Sequence, residues 1–464
     1  MLAKSQNKIP RQLITNDEFI INPCRNRNLK TTAQGKKDSG STGRSFLVSF
    51  IQNHKDGNET NQTIVVSSET DFNLTVSLSE NQRSNLVSIS SHKSGNATLK
   101  KLNVHYSLVP SYFTTEYKAI LINTTAASSI LSLSEYLYSS DSTTVFPVDK
   151  LSTHYIISTS TPTKGVLESG SHFTVASMKD NTLVSIVLTA DYDITILIQG
   201  RNYGRGDTFN IILNRYQTFQ IGHNADLTGT TIHSSNPIAV FAGNRCNDVG
   251  YHGFCSMLME MVPPTEELDN TFIVPPNIHR YQSHVRILSA VKTYITYTTK
   301  QIKTSTVILK NKFVEFVLHS PEIGVIHSTE AVLVSSIALS STKAKVYGDP
   351  FMITVPGINQ YASKYTNFVP DGYNFSFATF IIRNESFRNL QINGTNISEH
   401  SCLFHSSVLV GIALYSVCTV SVQSGLINVK TSDGSRFGFL VNGQRKHDGH
   451  GYAGNTMLTT SCGT

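Results

Sequence analysis

The sequence predicts an all-β protein built of tandem antiparallel, sandwich-like modules with long inter-strand loops. Three features point that way. Ser, Thr, Asn, Val, Ile and Tyr are abundant while charged residues make up only 15%, a mixture that suits half-buried strands and the turns between them. Apolar residues recur with period two in short runs closed by turn residues, the signature of strands with one buried face. No twelve-residue stretch shows a helical stripe, and Thr265–Asn270 is long enough for one turn only.

In chain order, residues 1–44 have neither period and end in the polar run Thr31–Arg44, which predicts a disordered leader. That leader carries Lys4, Lys8, Arg11, Arg25, Arg27, Lys30, Lys36, Lys37 and Arg44 against Asp17, Glu18 and Asp38, so it holds the whole net charge of +6. From Ser45 the strand signal begins. Its cleanest stretch splits into the runs Phe173–Val175, Val184–Leu188, Ile194–Ile198, Phe209–Leu213 and Phe219–Ile221. The turns Lys179–Asn181, Asp191–Asp193, Gly204–Gly206 and Asn214–Arg215 separate them, and the spacing predicts an antiparallel meander.

A longer pattern recurs: an apolar strand, a variable loop, a proline-anchored strand end, then a bend into an aromatic strand. Ser129–Leu133 leads through the loop Tyr136–Thr144 to Pro147, Leu151 and Tyr155. Pro237–Phe241 leads through Cys246–Cys255 to Pro264, Leu268 and Phe272, and Val332–Ile337 leads to Pro356, Tyr361 and Tyr365. These steps divide 45–454 into about three repeated modules, near 45–150, 151–264 and 265–454, with further strands within 404–441 and a tail at 455–464.

Outside the leader the charges balance, so the basic stripe that nucleic-acid binding requires is missing. No run of about 18 apolar residues is present to span a membrane, and the first 30 residues hold no signal-peptide core. Either the true start lies upstream or the protein stays inside the cell, and the first is the expectation. The cysteines Cys24, Cys246, Cys255, Cys402, Cys418 and Cys462 show no zinc-site spacing. The near pairs Cys246/Cys255 and Cys402/Cys418 favour disulfides over isolated thiols, the second across a hairpin at Leu403–Val417; the pairing of Cys24 and Cys462 stays open. No nucleophile elbow, metalloprotease helix, P-loop or dinucleotide fingerprint appears, and no cofactor is expected.

Asp226–Thr230, Ser235–Gly243, Cys246, Cys255 and Met261–Pro264 together resemble the N-terminal domain family of IgGFc-binding proteins. Asp180–Thr182, Asn214–Thr218, Arg436–Gly438 and Gly451–Gly454 extend the resemblance, in order, from about Gly43 to Gly454. Two positions depart from it: Ser256 stands where the family resemblance expects an acidic residue, and the closing proline is absent from Tyr452–Gly454. The resemblance implies a secreted, mucus- or matrix-associated glycoprotein domain that binds an extracellular protein or glycan. It carries no set of Fc-contacting residues.

Arg205-Gly206-Asp207 is a candidate adhesion motif, although Gly206 and Asp207 also suit an ordinary turn into a strand. Glycosylation sequons fall at Asn58, Asn61, Asn73, Asn96, Asn123, Asn374, Asn384, Asn393 and Asn396, with none between Thr125 and Asp371. His447 and His450 could hold a metal, but no second ligand cluster accompanies them, and a polar surface turn is the simpler expectation. Tyr136, Tyr138, Tyr251 and Phe254 are candidate contact aromatics in variable loops. The expected function is a non-catalytic extracellular binding or adhesion module. The alternatives are a self-associating matrix protein and, more remotely, a hydrolase on a β scaffold.

Overall fold

The computed structural model describes residues 41–458 apart from 55–60, 80–85, 95–96, 137, 166–168, 190–194, 251–252, 254 and 341–347. Cys24, Cys462, Asn58, Asn96, Tyr251 and Phe254 lie outside the described residues. The chain is all-β, its antiparallel strands linked by short 3-10 turns. The strands form four lobes, spanning 43–145, 152–261, 269–354 and 364–453, and the short strand Thr115–Tyr117 crosses over to edge the second. The stretch 265–454 thus holds two lobes.

One long course of chain organises each lobe by carrying two sets of partner strands, one along each half. Ile120–Tyr136, Thr231–Asn247 and Gly324–Ala338 do so unbroken. In the fourth lobe the same course is split into Gly425–Thr431 and Phe437–Arg445. The first half pairs with the strand that opens the lobe, the second with the strand that closes it. At each unbroken bend a hydroxyl bonds the carbonyl two residues on: Thr124 to Ala126, Ser234 to Asn236 and Ser328 to Glu330, at 2.8, 2.6 and 2.6 Å. A carbonyl released from the ladder is thereby satisfied locally.

This bend corrects the expected meander. Ser171–Ser177 and Thr182–Val187 follow each other in sequence yet do not pair; they flank the two halves of Thr231–Asn247. The outer strands nest around them, Thr182–Val187 with Thr208–Leu213 and Ser171–Ser177 with Gln217–His223. Period two shows which face is buried but not which strand lies alongside.

The proline-to-aromatic step has a local cause. Pro147, Pro264 and Pro356 each precede a 3-10 turn, at Val148–Lys150, Thr265–Glu267 and Ile358–Gln360, that ends in extended Leu151, Leu268 and Tyr361. The hydroxyl of Tyr155 accepts from Ser152 N at 2.8 Å and donates to Ile238 O at 2.6 Å. Tyr365 does the same with Ala362 N and Phe437 O. Each tyrosine therefore pins an opening strand to its lobe's bent strand; Phe272 fills the matching place by packing alone.

Apolar clusters cross successive joints. Phe46 shares one with Phe241 and Met259, Leu258 with Ile337 and Met352, Val325 with Val410 and Tyr415, and Val65 with Phe380. The lobes close into a ring, each such buried side chain contributing about 1.5–3 kcal/mol. The ends of the described chain also meet: Ser41 N donates to Thr456 O at 2.7 Å, and Thr456 N to Ser41 Oγ at 2.9 Å.

At the centre of the ring lie the four closing strands, Ser139–Val145, Ser256–Met261, Phe351–Thr354 and Asp448–Ala453. The first corrects the loop expected at Tyr136–Thr144: although its sequence is SSDSTTV, every residue is buried. Its odd-numbered side chains accept from the second lobe, Ser139, Asp141 and Thr143 from the amides of Met257, Met259 and Met261 at 2.9–3.0 Å. Its even-numbered hydroxyls reach the fourth lobe, Ser140, Ser142 and Thr144 to the carbonyls of Gly449, Gly451 and Ala453. Short polar side chains, five hydroxyls and the Asp141 carboxylate, thus take the place of a main-chain partner on both sides.

Candidate ligand-binding groove

The buried titratable groups are tied into this ring. Asp141 accepts Met259 N and Met352 N on one carboxyl oxygen, at 3.0 and 3.1 Å, and Ser142 N and Gly451 N on the other, at 2.9 and 3.2 Å. It therefore joins the main chain of all four lobes. Burial pushes its carboxyl up, against the pull of those amides. Burial likewise drives Glu260 to about 8, where it accepts from Thr354 N and Thr143 Oγ1. Asp349 rises to about 7 through burial and the nearby Asp448.

The expected surface turn at His447–His450 is confined to its first residue, His447, which is half-buried at the hairpin tip; the rest belongs to a buried strand. Asp448 and His450 are fully buried. Asp448 accepts from Ser140 Oγ and pairs with Arg445, while His450 Nδ1 lies 3.1 Å from Ser142 Oγ. Burial holds the His450 imidazole down at about 3. The hairpin tip itself, Lys446–His447, stays at the outside, Lys446 exposed and His447 half-buried, and it is the strand after the tip that enters the first lobe. Ser256, the departure from the family pattern, also belongs to this centre: its hydroxyl accepts Ser140 N at 3.2 Å and donates to Ser140 O at 3.1 Å.

The Asp226–Thr230 turn is a latch between the second and third lobes. Asp226 Oδ1 accepts from Thr228 N at 3.0 Å, and Oδ2 receives Arg286 Nη1 at 2.8 Å. Arg286 is 1% exposed; it also donates to Thr159 O and Thr161 Oγ1, pairs with Glu315, and lies 4.0 Å over the Phe313 ring. Gly229, at φ +92°, passes so close to Asn311 O that a Cβ would sit 2.3 Å from it, which explains the glycine of the motif.

The remaining candidates are dispersed. Cys246–Cys255 and Cys402–Cys418 are each joined by a disulfide, with Cα atoms 5.0 and 5.6 Å apart. His54 lies beside the first pair, but the two sulfurs are bonded to each other and so offer no thiolate to a metal. Arg205–Asp207 forms a turn in which Asp207 Oδ2 accepts Gly204 N at 2.8 Å and Gly206 N donates to Leu188 O. Tyr136 is buried and Tyr138 exposed. Asn61, Asn73, Asn374, Asn384, Asn393 and Asn396 are exposed, and Asn123 is half-buried in mid-strand.

An accessible site lies between the third and fourth lobes: a groove of about 1040 Å³. One wall is the outer face of the third lobe, with Thr296, Thr298, Lys303 and His327. The other is formed by all of Phe404–Leu409, from the strand Phe404–Val410 at the end of its sheet. Phe404 and Val408 pack with Ile323 and Val325 to give an apolar floor between polar walls. The sequence shows the hairpin at Leu403–Val417 but not the groove beside it. The one local signal is Gly411, whose φ of +61° closes the two-residue hairpin beyond them.

The molecule is therefore a disulfide-bonded, all-β ring of lobes whose accessible cleft runs between two lobes rather than into its polar centre. The chain belongs to the IgGFc binding protein family, whose model matches residues 141–443. The IgGFc-binding protein of Homo sapiens is 22% identical over 339 residues, or 72% of this chain, and the chain spans 6% of that relative's length. A solved structure from work on host cell surface retention of a 1.5-MDa bacterial ice-binding adhesin overlaps 63% of this chain and 91% of its own. At 12% identity and a TM-score of 0.10, that overlap is no guide to fold or function. Among the described residues no helix is long and apolar enough to cross a membrane.

Proposed function

We propose that this chain is a secreted, non-catalytic binding module, mucus- or matrix-associated, that holds an extracellular ligand in the groove between its third and fourth lobes. The groove carries the proposal: it is accessible, floored by Phe404 and Val408 and walled by polar side chains, whereas Asp141, Glu260, Asp448 and His450 bond to other lobes. Family membership, the two disulfides and the exposed sequons support an extracellular setting. The human relative's name makes IgG Fc one probe, and the mucus association implied by the family makes a gel-forming mucin another.

The test uses the full chain secreted from mammalian cells. Mass spectrometry without reductant should find both disulfides and occupied sequons, with Asn393 and Asn396 not occupied together because they share one tight turn. Surface plasmon resonance should show saturable binding to mucin or Fc. Free thiols and bare asparagines would sink secretion. Concentration-dependent self-association with no saturable ligand would favour a matrix protein instead, a reading to which the exposed hairpin residues Leu409, Ile412 and Leu414 lend support.

A further inference from the structure

We infer that the groove takes an extended acidic peptide by strand addition to Phe404–Val410, which rests on the binding function proposed above and specifies its ligand class. Consecutive residues of a strand point to opposite faces, so a groove lined by all of Phe404–Leu409 runs along the strand's edge. That edge is open, since the strand ends its sheet with Ala413–Ser421 as its neighbour.

The hairpin geometry says which groups are on offer. Val410 pairs with Ala413 across the two-residue turn, and the closing pair of such a hairpin is hydrogen-bonded, with bonded and unbonded pairs alternating back along the strands. Phe404, Ser406 and Val408 thus turn their main-chain groups to the neighbour, and His405, Ser407 and Leu409 turn theirs into the groove. Among the described residues those three have no main-chain partner. Edge strands are commonly guarded by lysine, proline or an inward charge, yet Phe404–Val410 contains none of these.

A stretch of six strand residues spans roughly 20 Å, so the edge accepts about six residues of an incoming chain. Lys300 and Lys303 line the groove against one acid, Glu322, beside His327 and His405, a balance that favours carboxylate side chains on the guest.

Fluorescence anisotropy on the full chain tests this with a fluorescein-labelled decapeptide of alternating threonine and glutamate. Saturable binding is expected, with roughly tenfold or greater weakening for the threonine–lysine counterpart and for the fully N-methylated acidic peptide. Ser407→Pro removes an outward N–H while leaving the bonds to Ala413–Ser421, so it should weaken binding to a similar degree at an unchanged melting temperature. Lys303→Glu, at an exposed position on the opposite wall, should weaken it without touching the strand. Equal binding of the acidic and basic peptides, or binding that survives N-methylation or both substitutions, overturns strand addition. A chain that binds mucin or Fc but not the peptide loses strand addition and keeps the general function; one that binds none of the three loses both.

Discussion

Arg286 Nη1 and Asp226 Oδ2 meet at 2.8 Å across the joint between the second and third lobes. Burial alone would raise the Asp226 carboxyl, but Arg286 and the hydroxyls of Thr228 and Thr161 outweigh it and hold it below its ordinary value. Removing one partner strands the other charge in the interior. Arg286→Met should cost about 3–5 kcal/mol of stability in urea unfolding. The double variant with Asp226→Asn should cost less than the sum of the two single variants; a loss equal to that sum would mean that the pair is not coupled.

Asp141 presents two oxygens to amide donors from its own lobe and three others. Asp141→Asn turns one oxygen into a donor facing donors, leaving buried N–H groups unmet at about 1–3 kcal/mol each. Reduced secretion and a lowered urea midpoint are expected. A fully stable Asp141→Asn variant would show that the centre does not join the lobes.

Raised and lowered groups oppose each other in their pH dependence. Glu260, at about 8, and Asp349, at about 7, are raised mainly by burial. Their contribution to stability is therefore fully present below their ordinary carboxyl values and is lost as pH rises through about 7 to 8. His172 and His450 are lowered to about 3 by burial; their contribution is present above the ordinary imidazole value and is lost as pH falls toward 3. Above about pH 6.5 the carboxyls govern. The melting temperature should fall between pH 6.5 and 8.5, and Glu260→Gln should remove on the order of 1–2 kcal/mol of that slope. An unaltered slope in the variant would place the titration elsewhere.

The Cys402–Cys418 bridge closes a loop with a sequence separation of 16. By loop entropy it should be worth about 3 kcal/mol. Dithiothreitol should lower the urea midpoint of the wild type, and a Cys402→Ser/Cys418→Ser variant should lose much of that response, the remainder belonging to Cys246–Cys255. An undiminished response in the variant would show that this bridge adds nothing.

What could be read from sequence depended on whether a side chain advertises its surroundings. Phe173, Val175, Val184 and Ile186 did so, because their alternation is the alternation of buried and exposed faces. The step from Pro147 to Tyr155 was legible because a 3-10 turn and a tyrosine hydroxyl impose its length. Tyr136–Thr144 reads as a loop, since hydroxyl side chains look alike whether they meet water or the main chain of another lobe. His450 reads as exposed for the same reason. The groove could not be read at all: Lys303 and Ser407 come together only when the third and fourth lobes pack, and an open strand edge is a property of the sheet, not of the strand's own residues.

The bonds between Ser41 and Thr456 have a mechanical meaning. Entrance and exit of the ring lie side by side, so within a longer chain under tension the ring hangs beside the line of pull. Force would open the Ser41–Thr456 contacts one after another before loading any bent strand. While they hold, the ring adds almost nothing to the tether's reach. Once they and the lobes give way, the sequence separation of 415 could pay out on the order of 1400 Å of extended chain, a reserve of slack that lengthens a stretched filament without breaking it.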